Sequence, residues 1–81
     1  MSSFVEIRVP VCGYSYHSTF INMDEIRSVL FTEDVIDNEL TVQFFYKGVS
    51  DVDANKFTFN RCVLEQQEEY DRIKSILILY M

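Results

Sequence analysis

The sequence predicts an α+β fold, an antiparallel β-meander of about five strands closed by one C-terminal α-helix packed on the sheet. Three observations point to it. Apolar residues alternate with period two over most of the first 60 positions, the pattern of half-buried strands. Over the last segment the apolar spacing changes to that of a helix face. Strands come first and the helix last, which places the helix across one face of an antiparallel sheet.

The first strand is read over Phe4–Val9, with Val5, Ile7 and Val9 on one face and Glu6 and Arg8 on the other. Pro10 and Gly13 bracket a turn. The run Tyr14 to Ile21 alternates again, with Tyr14, Tyr16 and Phe20 on one face and Ser15, His17 and Thr19 on the other, so the two runs read as a hairpin. Asn22 is a good N-cap and Asp24 and Glu25 suit a first helical turn, which predicts a single turn before a strand over Arg27–Thr32. The acidic segment Glu33–Asn38 reads as a turn, and Val35 and Ile36 within it are expected to pack back on the core. The strongest strand is Leu40–Lys47, with Leu40, Val42, Phe44 and Tyr46 on one face, ended by Gly48. A polar loop over 49–55 precedes a fifth strand from Phe57 through Cys62, in which Cys62 is expected as a small core residue.

The helix is placed at Leu64–Leu79. Tyr70, Ile73, Leu77 and Tyr80 form its apolar stripe, Glu68 and Arg72 an i,i+4 pair, and the acids Glu65, Glu68 and Glu69 suit its N-terminal end. The segment Ile76–Met81 is apolar on all sides. It reads either as an exposed interface or as a tail tucked into the core or paired as a last strand.

At 81 residues the chain is read as one domain, 1–81, with a thin core. A chain this short buries only about 60–65% of its unfolded surface. Seven Phe and five Tyr compensate in part with large buried areas. The formal net charge of −6, with no two basic residues adjacent, argues against nucleic-acid binding and against an anionic membrane surface. No signal peptide or membrane-spanning run is read, which points to a cytoplasmic protein with free thiols at Cys12 and Cys62. A Cys12–Cys62 disulfide is the alternative.

No constellation of residues points to catalysis. Asp51-x-Asp53-x-Asn55 has the opening spacing of an EF-hand loop. Lys56 stands where such a loop needs glycine, and Cys62 where it needs a bidentate glutamate. Cys12, His17 and Cys62 are too few for a structural zinc site and lack paired short spacings. Neither a nucleophile motif nor a phosphate-cradling loop is present, so the expectation is a non-catalytic protein without cofactor or metal.

Two features lean toward protein partners. Acids cluster at Glu33–Glu39, at Asp51–Asp53 and along the helix, a field that would steer the domain to a basic surface. Contact residues expected on this reading are Glu33, Asp34, Asp37, Asp51 and Asp53. The apolar helix end is the second feature. It suggests a homodimer or small assembly subunit joined through Tyr70, Ile73, Leu77, Leu79 and Tyr80.

In size, acidity, aromatic content and strand-then-helix plan the chain resembles small acidic bacteriophage-encoded proteins, such as anti-CRISPRs and other inhibitors of host machinery. Its segment Phe20-Ile21-Asn22-Met23-Asp24-Glu25-Ile26 also looks like a strand-end turn of small bacterial β-meander proteins. The resemblance implies a stoichiometric inhibitor in the host cytoplasm, whose acidic surface occupies a basic, nucleic-acid-binding groove.

Overall fold

The computed structural model describes residues 3–11, 15–50 and 54–79. It contains five antiparallel strands and one helix: β1 (Phe4–Pro10), β2 (Tyr16–Asn22), β3 (Ile26–Asp34), β4 (Glu39–Tyr46), β5 (Asn55–Asn60) and α1 (Leu64–Ile78). The α+β class is as the sequence predicts. The strands form two sheets rather than one, a β1-β2 hairpin and a β3-β4-β5 meander.

The division falls at a single 3-10 turn over Met23–Glu25. The Asn22 side chain accepts the Asp24 N–H at 3.1 Å and so starts that turn, as an N-cap does. The Met23 N–H donates to the Ser3 carbonyl at 2.8 Å, and the Lys47 N–H to the Glu25 carbonyl at 2.9 Å. The corner is therefore fixed to both sheets while β2 and β3 pair with different neighbours.

Register decides which faces are buried. In the hairpin Val5 lies opposite Ile21 and Ile7 opposite Thr19, and Val5, Ile7 and Ile21 are buried. A strand cannot bury both faces of a two-stranded ribbon, so the set containing Ile21 goes in and Tyr16 and Phe20 go out. In the meander, Leu40, Val42 and Phe44 of β4 are fully buried between Val29 and Phe31 on one side and Phe57 and Phe59 on the other. The Phe44 and Phe57 rings meet edge to face at 5.8 Å. That is a favoured geometry for an aromatic pair. Gly48, just past β4, has φ +69°. Glycine adopts this left-handed conformation without steric cost.

The fifth strand ends at Asn60, two residues before the expected limit. Its side chain accepts the Cys62 N–H at 2.8 Å and turns the chain there. Cys62 is consequently an exposed free thiol and not a core residue. Cys12, with Gly13 of the first expected turn and Tyr14 at the start of the expected second strand, lies outside the described residues.

Helix α1 starts at Leu64, and its N-cap residue, Val63, offers no capping side chain. Gln66 instead reaches back to accept the Asn60 N–H at 2.6 Å. Tyr70, Ile73 and Leu77 are buried at i, i+3 and i+7, facing β1, β4 and β5. The helix thus covers both sheets and joins their apolar faces into one core. Each fully buried side chain of this kind contributes about 1.5–3 kcal/mol.

Burial corrects the expected oligomer interface. Tyr70, Ile73 and Leu77 pack inside the chain's own fold, because that stripe is what closes the core, so they present nothing to a second molecule. The chain stays helical through Ile78 and forms no strand there; Leu77 is buried and Ile76 packs against the core, whereas Ile78 and Leu79 are exposed. Tyr80 lies outside the described residues. No helix among them is long and apolar enough to cross a membrane.

Candidate functional site

The most distinctive surface is the tip of the β3–β4 hairpin. The four residues between the strands, Val35 to Asn38, form a turn held from both ends. At its start one oxygen of Asp34, Oδ1, accepts the N–H groups of Ile36 and Asp37, each at 3.0 Å. At its end Asn38 takes φ +55°. Asparagine tolerates this left-handed value better than most residues. The Asn38 carbonyl accepts the Arg61 N–H at 2.8 Å, which braces the tip against the turn after β5.

This bracing displays apolar side chains. Val35 is 64% exposed and Ile36 87% exposed, against the expectation that they fold back on the core. The reason is local. Asp34 commits its side chain to the turn's own amides, and the tight turn projects Val35 and Ile36 past the end of the sheet. Around them stand Glu33, Asp37 and Glu39, all exposed. The result is an apolar point with an acidic rim on a pre-formed turn.

Of the acids expected to contact a partner, Glu33, Asp34 and Asp37 therefore meet at this tip. Their roles differ. Glu33 lies 3.6 Å from the Lys74 ammonium, and Asp34 is partly buried and builds the turn. Asp37 stands exposed at the rim, joined by Glu39. Asp51 and Asp53 lie outside the described residues.

A second feature was not expected at all. Arg72 pairs with Glu69, three residues back, and not with Glu68. Its Nε donates to Glu69 Oε1 at 2.8 Å and its Nη2 to Glu69 Oε2 at 2.6 Å. The same Nη2 donates to the Glu6 carbonyl at 2.6 Å, while Glu69 Oε2 accepts the Arg8 N–H at 2.9 Å. One ion pair thus supplies a donor and an acceptor to the strand edge that β2 leaves open. Side chains of the helix stand where a third strand would, which blunts an edge that could template unwanted pairing. Glu69 holds the Arg72 guanidinium above its ordinary pKa through these hydrogen bonds.

Beside this clasp lies a cleft of about 500 Å³ lined by Arg8, Tyr16, Ser18, Glu65, Glu68, Glu69 and Arg72. Its charges are largely taken up by one another. Tyr16 donates its hydroxyl to Glu65 at 3.0 Å, which, with the Glu65 charge, raises the Tyr16 pKa. Arg8 lies 3.4 Å from Glu6. Among the described residues no group of three or more His, Cys, Asp and Glu side chains is placed to hold a metal ion.

The chain matches no protein-family model, no curated protein and no solved structure. The class it defines therefore rests on geometry alone: an α+β domain that carries a braced, acidic, apolar-tipped hairpin.

Proposed function

We propose that this protein is a non-catalytic protein-binding module whose β3–β4 hairpin tip docks on a basic surface of a partner protein. The observation that carries the reading is Ile36, 87% exposed on a turn fixed by Asp34 and Asn38 and ringed by acids. Interfaces draw most of their affinity from a few central side chains buried in pockets, surrounded by contacts that exclude water. Ile36 and Val35 have the position of such anchors, and Glu33, Asp37 and Glu39 that of the rim. Pre-organising the turn in the free protein removes part of the entropy cost of binding. The acidic rim, together with Glu65, Glu68 and Asp71 on the helix, speeds encounter with a positively charged partner.

The likeness to small acidic phage-encoded inhibitors extends this reading to a mode of action. The module occupies a basic, nucleic-acid-binding groove of a host protein, one copy per groove, and blocks it by occupancy. Binding nucleic acid itself is disfavoured by the net charge of −6.

The test compares three immobilised proteins against one cytoplasmic extract: the wild type, Ile36→Ser, and Asp37→Lys/Glu39→Lys. The reading expects a basic protein retained by the wild type, released by raised salt, and lost on both variants. The same proteins retained on all three would exclude the tip as the binding site.

A further inference from the structure

The two sheets leave four outer strand edges. The edge of β1 is filled by Glu69 and Arg72. On β5 the Asn60 N–H is taken by Gln66. β2 is seven residues long and has no Asp, Glu, Lys or Arg to set a pairing register. β3 is the longest at nine residues, pairs only with β4, and has no described element running beside its other edge.

We propose that the free edge of β3 pairs with the same edge of a second copy of this chain. The pairing is antiparallel and centred on Leu30, and it joins two three-stranded sheets into one of six. Self-pairing about a two-fold axis is the commonest way a chain forms a closed dimer.

The sequence of the strand selects this register. Antiparallel self-pairing must set core-facing residues beside core-facing residues, so the two paired residue numbers must sum to an even value. Centring on Leu30 places Val29 opposite Phe31 and Ser28 opposite Thr32. The two-fold axis makes each contact twice. A centre one residue earlier sets Ser28 against Leu30 and leaves Phe31 with no apolar residue opposite it. A centre one residue later sets Val29 against Glu33 and Ser28 against Asp34. Only the Leu30 centre sets apolar beside apolar on both faces, Val29 with Phe31 on the inner one and Leu30 with itself on the outer one.

Exposure agrees with this choice. Leu30 is 50% exposed on the outer face of the sheet, where the two copies would bring it against itself. Val29 and Phe31 are only partly buried on the inner face. The bulge between Ile26 and Ser28 lies at the far end of the strand and leaves the segment from Ser28 to Asp34 regular. In the dimer the two hairpin tips point in opposite directions, so both stay open to partners.

Cysteine cross-linking on the full-length chain tests the register, with Cys12 and Cys62 both changed to Ser. Leu30→Cys puts two thiols at the axis with Cβ atoms about 4.5–5.5 Å apart, close enough for rapid oxidation to a disulfide. Thr32→Cys puts its two thiols four residues apart along the strands, about 13 Å, out of reach. Mixing Ser28→Cys with Thr32→Cys restores a cross-link, but only between the two variants. Light scattering on the wild type is expected to give twice the chain mass, falling to one on Leu30→Lys with an unchanged circular dichroism spectrum. A wild type that stays at one chain mass as concentration rises would overturn the proposal. A dimer in which Thr32→Cys cross-links as fast as Leu30→Cys would do so as well. Ile36→Ser is expected to leave the mass unchanged, so failure of the tip and failure of this edge are read separately.

Discussion

Arg72→Met removes the clasp between helix and hairpin while keeping much of the stem's apolar packing. The wild-type guanidinium makes two bonds to Glu69 and one to the Glu6 carbonyl. Its own side chain is 34% exposed, whereas Glu69 is only 10% exposed. Solvent therefore screens part of the interaction. Once Arg72 is gone, Glu69 is left as a nearly buried carboxylate with the Arg8 N–H as its remaining partner. Removing one member of a fully buried pair costs about 3–5 kcal/mol, and a hydrogen bond to a charged group is worth about 1.5–3 kcal/mol. With the exposure discount, the loss here is about 2 kcal/mol. At about 0.05–0.15 kcal/mol per residue, a chain of this length has about 4–12 kcal/mol in total, so the effect is large. It corresponds to a drop in Tm of about 8–16 °C for a domain of this size. Urea unfolding followed by far-ultraviolet dichroism and by tyrosine fluorescence measures it, the chain having no tryptophan. The double variant Glu69→Met/Arg72→Met removes the stranded charge and is expected to lie within about 1 kcal/mol of wild type. If Arg72→Met alone fell within about 0.5 kcal/mol of wild type, or the double variant were the worse of the two, the clasp would contribute no more than an ordinary surface ion pair.

Other outcomes follow from single side chains. Tyr70 is buried, yet its hydroxyl has no hydrogen-bond partner. Tyr70→Phe is therefore expected to be neutral or to stabilise by up to about 1 kcal/mol in the same urea assay. Burial, then the charges of Glu33 and Asp71, raise the Tyr70 pKa above its ordinary 10.0. The protonated form is thus the one the fold favours. Its contribution is fully present below the unfolded-state pKa and is lost as pH rises through the higher folded value, so alkaline unfolding above about pH 10 should be milder in Tyr70→Phe. Ile36→Ser is expected to change stability by less than about 0.5 kcal/mol, since the side chain contacts almost nothing, while abolishing partner capture. Gly48→Ala meets no atom within 4 Å of the added carbon but must hold φ +69°. A loss of about 1–2 kcal/mol is expected from backbone strain alone, read as a lower urea midpoint.

Much of the fold was legible because its period-two and helical patterns are local properties. The single turn capped by Asn22, the buried row Leu40, Val42 and Phe44, and the stripe Tyr70, Ile73 and Leu77 all follow from spacing along the chain. The division into two sheets was not legible, because it depends on which strands find each other across the corner at Met23–Glu25. The exposure of Val35 and Ile36 was missed for a related reason. Hydropathy sends such residues inward, but the Asp34 side chain closes a turn too tight to carry them back. At the site, Glu33, Asp34 and Asp37 stand together because they adjoin in sequence, and their charge gave no sign that Lys74 and the turn amides occupy two of them. The Glu69–Arg72 clasp left only a faint trace, an acid and a base three apart on a helix, with nothing to say that a strand edge lay beneath. The alternative pair Glu68 and Arg72 looked equally good on the helix surface alone.

The helix covers faces of both sheets, and this has a consequence for the order in which the chain acquires its structure. The hairpin and the meander each form from neighbours close in sequence, contacts that close quickly because little chain entropy is lost in making them. Neither has an independent core. A lone hairpin is marginal in water. The meander keeps Leu40, Val42 and Phe44 on an open face until Tyr70, Ile73 and Leu77 arrive. On a ribosome the growing chain therefore carries two half-made sheets with oily faces until Leu77 has been synthesised and has emerged. Docking of the helix then completes both at once, so a segment made after both sheets is the one that turns two tentative pieces into a single cooperative unit.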